Sequence, residues 1–599
     1  VASIEAALLT GGASANTINA AGFSGTTAIR GLAEADILTG GSGVDLIFGG
    51  SGNDTITGNA GDDHLDGGDD NDTITGDGGD DTIRGGGGSN TLTGGADNDT
   101  FIYVPDASRP DDRILDLAAA DNDTLDMTAV TGGLRMVVGD GSATRVRISG
   151  YSPIGSVEFD TAAIESVLLG SGNDLVYLRD GVSTVAAINA GSGSDLLSYG
   201  ETGHAWTSNV RVELGSRTAT GTGGVLGFED ITGGDADDYL EGNDAANRIS
   251  GGDGVNELVG LGGDDTLLGG DNDDTLKGGA DNDTLIAYGG TNSLIGGTGD
   301  DTYLWYAGYE PKDTITEVAG EGSDTMNFAG VSTAIQFDVD ATILATYGTA
   351  AITATDAAGI DRVTGGSRAD RFVLADGVAF AGLLDGGGVQ SIDFADMNIL
   401  DYSAWTSPVA VDYTGQLDAN FTTAVTGAGS VRWLQHVIGG LKDDSLTAGD
   451  QPVWFEGNDG DDTLNGSSQA DLLEGNAGSD TISALAGDDI LRGGTGTDTL
   501  AGGTGDDTYA FADVFGNDTI LENPGEGDDT MDFSAVLAAL QIRLGSVTVT
   551  DGTSTATHAG DDIETVIGGQ ADDTFVMTSS SVTFPGTLNG SGGTNSLVY

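Results

Sequence analysis

A nine-residue period governs most of what this chain can fold into. From Gly31 it reads GLAEADILT, GGSGVDLIF, GGSGNDTIT, GNAGDDHLD, GGDDNDTIT, GDGGDDTIR, GGGGSNTLT and GGADNDTFI, eight repeats without a slip across 31–102. Two further runs of eight occupy 233–304 and 439–510. Position eight is large and apolar in all 24 repeats. Position six is Asp in 19, Asn in four (Asn90, Asn247, Asn256 and Asn292) and Val453 in one. The glycines at positions one, two and often four permit the left-handed backbone of a tight turn. Positions seven to nine, such as Thr55-Ile56-Thr57, alternate polar, apolar and polar, the mark of a short strand with one inward side chain. A six-residue turn followed by a three-residue strand, repeated, can only stack. Two repeats make an 18-residue coil whose apolar rows meet between two sheets, and coils pile up at about 4.8 Å. Each block is then four coils.

Such a coil is two side chains thick, and fixing its backbone costs about 1–2 kcal/mol per residue. Burial alone does not offset that. Meanwhile residues 18 apart come into register. Asp36 lies over Asp54 and Asp54 over Asp72, and on the other edge Asp45 lies over Asp63 and Asp63 over Asp81. Stacked carboxylates repel unless a cation sits between them. Carboxylates and turn carbonyls in irregular geometry suit calcium better than magnesium, which demands a strict octahedron. Asp and Asn also build Asx turns without any metal, but turn chemistry does not require carboxylates in register every 18 residues.

The pattern G-G-x-G-x-D-x-U-x, with U a large apolar residue, resembles the calcium-binding nonapeptide of the RTX (haemolysin-type) family. GGSGNDTIT at 49–57 and GGTGTDTLA at 493–501 fit it at every defined position. The resemblance implies an all-β fold, a right-handed parallel β-roll or β-solenoid. It also implies secretion, and multiple Ca²⁺ ions held between turns by position-six carboxylates and backbone oxygens. Carried residue by residue, the implied ligands are Asp36, Asp45, Asp54, Asp63, Asp72, Asp81 and Asp99 in the first block. In the second they are Asp238, Asp265, Asp274, Asp283 and Asp301. In the third they are Asp444, Asp462, Asp471, Asp480, Asp489, Asp498 and Asp507. Val453 departs from the motif and cannot ligate, and the Asn positions should make weaker sites.

A longer period is superimposed. TLDMTAVTGGLRMVV (124–138), TMNFAGVSTAIQFDV (325–339) and TMDFSAVLAALQIRL (530–544) share one pattern. The expected organisation is the end of a preceding spacer at 1–30, block one at 31–102 and a β-rich spacer at 103–232. Block two follows at 233–304, a spacer at 305–438, block three at 439–510 and a partial spacer at 511–599. Isolated nonapeptides inside the spacers put Asp174, Asp370 and Asp573 at position six. The spacers read as calcium-poor coils of the same solenoid or as compact β-rich modules, and the first reading is favoured because no low-complexity linker separates them.

Charge and composition narrow the function. Lys and Arg number 20 against 95 Asp and Glu, a formal charge of −75. Such a chain is unsuited to neutralising nucleic-acid phosphates or to binding anionic lipid. The absence of cysteine excludes disulfides, thiolate zinc sites and a cysteine nucleophile. No run approaches the roughly 18 apolar residues of a membrane span. His64, His204, His436 and His558 lie in no H-E-x-x-H motif, and neither a G-x-S-x-G elbow nor a Gly-Lys phosphate loop is present. The expectation is therefore a non-enzymatic, calcium-binding extracellular structural protein, the rigid shaft of a bacterial adhesin, surface layer or filament. Its expected partners besides calcium are copies of itself or a cell-surface or glycan partner. One alternative is the calcium-binding repeat region of a type I-secreted enzyme (protease, lipase or polysaccharide-modifying) whose catalytic domain lies elsewhere. The other is that the spacers bind carbohydrate through Trp433 and its neighbours. A start at Val1 with no leader motif suggests a piece of a longer array.

Overall fold

The computed structural model describes every residue except 1–4, 106–110, 116–120, 140, 141, 143, 151–155, 183, 184, 202, 204, 388–393, 415–422, 561, 578–583 and 585. His204 lies outside the described residues. The chain divides into two compact units, Val1–Thr298 and Gly299–Tyr599. Both are parallel β-solenoids. Among the described residues helix is confined to two single 3₁₀ turns, Ala357–Gly359 and Phe394–Asp396.

In the first unit, strands Thr55–Ala60, Thr73–Gly78 and Thr91–Ala96 pair in parallel, Ile56 opposite Ile74 and Ile74 opposite Leu92. Asp45–Ser51, His64–Asp69 and Thr82–Gly86 form the facing sheet, Ile47 opposite Leu65 and Leu65 opposite Ile83. Every partner is 18 residues away, as the period requires. The two apolar rows meet between the sheets and are buried. The part of block two that lies in this unit repeats the arrangement, Leu258 pairing with Leu276 and Leu276 with Leu294. In the second unit block three stacks Leu446, Leu464, Ile482 and Leu500 on one side. Phe455, Leu473, Leu491 and Tyr509 stack on the other.

Some strands have the three residues the alternation suggests, such as Ile37–Thr39, Tyr239–Glu241 and Ser445–Thr447, and others are longer. Thr55–Ala60 runs from position seven through position three of the next repeat, and Trp454–Asp459 does the same. Pairing skips position one and resumes at position two, Thr57 opposite Thr75 and then Asn59 opposite Asp77.

The ladder continues through the spacers with wider coils. Thr100 pairs with Thr124 and Thr124 with Ser166; Thr508 pairs with Thr530 and Thr530 with Thr565. The extra residues form an antiparallel excursion. Leu134–Val138, Arg145–Gly150 and Ser156–Asp160 make the first such trio. Gln336–Val339, Ile343–Tyr347 and Ala350–Ala354 make the second, and Gln541–Leu544, Thr548–Thr550 and Thr555–His558 the third. The outer strands of each trio are themselves rungs: Phe337 pairs in parallel with Phe372, and Thr314 with Thr353. The spacers are thus coils of the solenoid that carry a hairpin. Their core is aromatic. Trp305 stacks on Phe328 at 4.5 Å and Phe337 on Phe372 at 4.5 Å, all four buried.

Candidate metal centre

Position six is the last residue of each turn, held just before a strand, so its side chain folds back under the turn. All nineteen predicted aspartates are buried, none more than 3% exposed. Their carboxylates stack in the predicted 18-residue register, joined by a hydrogen bond. Asp54 Oδ1 accepts the backbone N–H of Asp36 at 2.7 Å, and Asp72 Oδ1 that of Asp54 at 2.8 Å. On the opposite edge Asp63 accepts from Asp45 and Asp81 from Asp63, each at 2.7 Å. Block two has Asp283 under Asp265 at 2.8 Å. Block three continues the pattern from Asp444 to Asp498 on one edge and from Asp471 to Asp507 on the other. Val453 donates its N–H to Asp471 at 2.8 Å but offers no carboxylate in return. One oxygen of each carboxylate therefore has the backbone role that turn chemistry alone would assign it.

The other oxygen does not. Oδ2 of Asp36, Asp54, Asp63, Asp72, Asp81, Asp265, Asp462, Asp480, Asp489, Asp498 and Asp507 is buried with no hydrogen-bond partner. Leaving a buried polar atom bare costs about 1–3 kcal/mol, and this one carries charge. The backbone at position two decides which turns do so. At Asp45, Asp238, Asp444 and Asp471, Oδ2 accepts the position-two N–H of Gly41, Gly234, Gly440 and Ser467 at 2.5–2.6 Å. Before the bare oxygens, position two has positive φ: 120° at Gly50, 108° at Gly68, and 80° and 73° at the non-glycines Asn59 and Asn476. That rotation turns the amide away from the carboxylate.

Beside the position-one glycine Oδ2 and a carbonyl oxygen of the next coil converge. A Cβ on Gly49 would stand 2.3 Å from Asp54 Oδ2 and 2.3 Å from the carbonyl of Gly67 in the next coil. The same pair of oxygens crowds Gly58, Gly260 and Gly475. The natural Asn repeats show what this pocket accepts. Asn256 Nδ2 donates to the turn carbonyls of Asp253 and Gly254 at 3.3 Å, and Asn292 Nδ2 to that of Gly289 at 2.8 Å. Where Asp replaces Asn, the atom facing those carbonyls is another oxygen, and only positive charge can reconcile them. Burial, followed by the neighbouring carboxylates, pushes Asp63, Asp72, Asp81, Asp265 and Asp480 up to about 7 and Asp489 up to about 8, against the lowering pull of the backbone N–H. Each site must take a proton or a cation. Carboxylate and carbonyl oxygens, with no nitrogen or sulfur, fit a hard divalent cation such as calcium.

Two features escaped the periodic reading. Position five carries a second ladder of opposite sense. Asp62 Oδ1 accepts the N–H of Asp80 at 3.0 Å, and Asp461 Oδ1 that of Ser479 at 2.8 Å, each reaching one coil forward. The position-six ladder also runs on into the spacers. Asp99 donates to Asp123, Asp301 to Asp324, Asp498 to Asp518 and Asp507 to Asp529, at 2.8–3.1 Å. These four were hidden because the coils there exceed 18 residues. The Asp-Thr-apolar signature shared by 123–125, 324–326, 518–520 and 529–531 would have found them.

The family model for the RTX calcium-binding nonapeptide repeat (four copies) matches residues 21–56, 39–74, 48–83, 75–102, 232–267, 268–303, 438–473 and 474–509. The chain carries RTX calcium-binding nonapeptide repeats at these positions. The RTX blocks bind calcium, and the matched segments overlap the three runs of nonapeptides, the first beginning ten residues ahead of its run. No curated protein matches the chain. Among solved structures, the extracellular lipase LipA from Serratia marcescens is similar at 18% identity over 55% of this chain and 39% of the lipase chain, with a TM-score of 0.13. The RTX chain thus spans well under half of the lipase's length. Among the described residues no helix is long and apolar enough to cross a membrane.

Of the described histidines, His436 and His558 have side-chain contacts within the fold. His64 is exposed at position seven of its RTX repeat. His436 stacks on Trp454 at 3.8 Å with Nε2 2.7 Å from Glu456, and His558 is buried with Nδ1 3.2 Å from the Ile520 carbonyl.

Proposed function

We propose that the chain is a non-enzymatic extracellular shaft segment, of an adhesin, surface layer or filament, made rigid by calcium held at the nineteen position-six aspartates. The observation that carries this reading is that eleven of the nineteen carboxylates use one oxygen to accept a coil neighbour's backbone N–H while the other is buried with no hydrogen-bond partner. A chain built this way has a cytosolic and an extracellular state. At low calcium the −75 charge keeps it expanded. Extracellular calcium modules bind at about 10⁻⁴–10⁻³ M, so the solenoid forms after export. Repetition at two scales extends a surface without building a unique pocket, which supports a structural role.

Small-angle scattering and far-ultraviolet circular dichroism of the metal-free chain, titrated with calcium, test this. The expected result is a cooperative change from an expanded coil to a more compact, β-rich state as calcium approaches the millimolar range. A chain fully folded in chelator would overturn the reading.

A further inference from the structure

At the exit of block three the carboxylate ladder acquires a member that the nonapeptide does not supply. Asp507, Glu522 and Asp529 each bring one oxygen within 4.8 Å of the others, and all three residues are buried. Glu522 comes from the strand-end after Asn517–Leu521, outside any nonapeptide. Its two oxygens have different fates. The Tyr509 hydroxyl donates to Oε1, and because the N–H of Gly502 donates to that same hydroxyl oxygen at 2.7 Å, the tyrosine proton is committed to Glu522. Oε2 is left with no hydrogen-bond partner, on a side chain more than nine-tenths buried, and Asp507 Oδ2 is equally bare. Three interior carboxylates with two bare oxygens, and a tyrosine whose one proton goes to Glu522, make a site lacking positive charge.

The arrangement recurs. Asp301, Glu317 and Asp324 also lie within 4.8 Å of one another, all buried, and the Tyr303 hydroxyl donates to Glu317. In both places the glutamate stands seven residues before the second aspartate. At the corresponding sequence positions after block one the pair is Phe101 and Asp116, the latter outside the described residues. Tyrosine and glutamate thus occur together after blocks two and three, and neither occupies its position after block one.

We infer that Asp507, Glu522 and Asp529 form a block-closing calcium site, with Tyr509 as the residue that positions Glu522, and that Asp301, Glu317 and Asp324 form its counterpart after block two. The inference takes the identity of the cation from the calcium reading above, while the glutamate ligand and its tyrosine are additional to that reading. With three carboxylates the site carries more negative charge than a two-aspartate inter-coil site. It closes each block where the 18-residue register ends.

The test is a count of bound calcium on the intact chain by native mass spectrometry, with circular dichroism as the folding control. Glu522→Gln should lose one calcium and Glu317→Gln/Glu522→Gln two, with the β-signal unchanged. Tyr509→Phe leaves all three carboxylates in place and should weaken that one site about tenfold or more, as loss of an orienting partner does. It should then lose one ion at low free calcium and regain it at higher calcium. Terbium(III) soaked into crystals of the full chain should give an anomalous peak among the three carboxylates. Peaks along the block ladders with none at Asp507, Glu522 and Asp529, or an unchanged ion count in both Glu522→Gln and Tyr509→Phe, would overturn this site alone. A parent chain that binds no calcium would overturn it together with the proposed function.

Discussion

Asp72 Oδ1 accepts the backbone N–H of Asp54 at 2.8 Å, while its Oδ2 is buried and accepts nothing. The two oxygens can be separated by mutation. Asp72→Asn retains the Oδ1 acceptor and supplies an amide to the turn carbonyls, as Asn256 and Asn292 already do. Asp72→Ala also strips the Asp54 N–H of its partner, a cost of about 1–3 kcal/mol. Hydrogen exchange at block-one amides should therefore rank the asparagine variant as more protected than the parent in chelator and less protected in calcium. The alanine variant should be the least protected in both. An asparagine variant with the parent's full calcium response would contradict the role given to Oδ2.

Glycine at position one is required by the oxygens around it. In Gly49→Ala the new methyl would stand 2.3 Å from both Asp54 Oδ2 and the Gly67 carbonyl. The carboxylate has no room to retreat, so overpacking should cost about 1–3 kcal/mol and displace a calcium ligand. Gly78→Ala is the control, its methyl meeting nothing closer than the Asn59 carbonyl at 4.0 Å. It should be neutral or stabilising by up to about 1 kcal/mol through the unfolded chain. Calcium titrations of the two variants, followed by circular dichroism, should move the folding midpoint upward for Gly49→Ala and leave Gly78→Ala at the parent value.

Acidity and calcium compete for the same oxygens. Burial raises Asp63, Asp72 and Asp81 from 3.8 to about 7. A carboxyl whose folded pKa exceeds its unfolded value stabilises the metal-free fold fully below the unfolded pKa. That contribution is lost as pH rises through the folded one. The metal-free chain should thus be most structured near pH 4 and lose β-structure on going to pH 8. Calcium requires the deprotonated carboxylate, so affinity should fall below about pH 7, roughly tenfold per pH unit for each proton displaced. Circular dichroism of metal-free protein across this range, and calcium midpoints at pH 6 and 7.5, measure both. A metal-free chain that folds better at pH 8 than at pH 4 would refute the sign.

The blocks were legible because one physical rule, a period of nine doubled to 18, sets both the core row and the acid row. Ile56 opposite Ile74 and Asp54 against Asp72 follow from counting. What counting could not reach were features set by local backbone state or by insertions. Whether Oδ2 is bare depends on φ at position two, where Gly41 and Gly50 are the same residue in different conformations. The Asp507 to Asp529 step is 22 residues, so no fixed period finds it. Nor does alternation distinguish a rung from a hairpin: Phe337 pairs antiparallel with Ala345 and parallel with Phe372 at once.

The spacers should outlast the RTX blocks when calcium is withdrawn. Asp385, 2% exposed, lies between Arg362 Nη2 at 2.5 Å and Arg432 Nε at 3.6 Å, and the equally buried Asp401 pairs with Arg371. These carboxylates carry their own cations, so a chelator leaves them balanced; removing one arginine would not. The Trp305, Phe328, Phe337 and Phe372 stack adds burial that a two-residue-thick RTX coil lacks. After chelation the amides of Thr481–Ala486 and Thr499–Thr504 should exchange within the dead time, while those of Gln336–Val339 and Ile343–Tyr347 stay protected. Arg362→Met should abolish that difference, because Asp385 then faces Arg432 alone. Uniform loss of protection across blocks and spacers in the parent would show that the coils fold as one unit and that the arginines carry no independent stability.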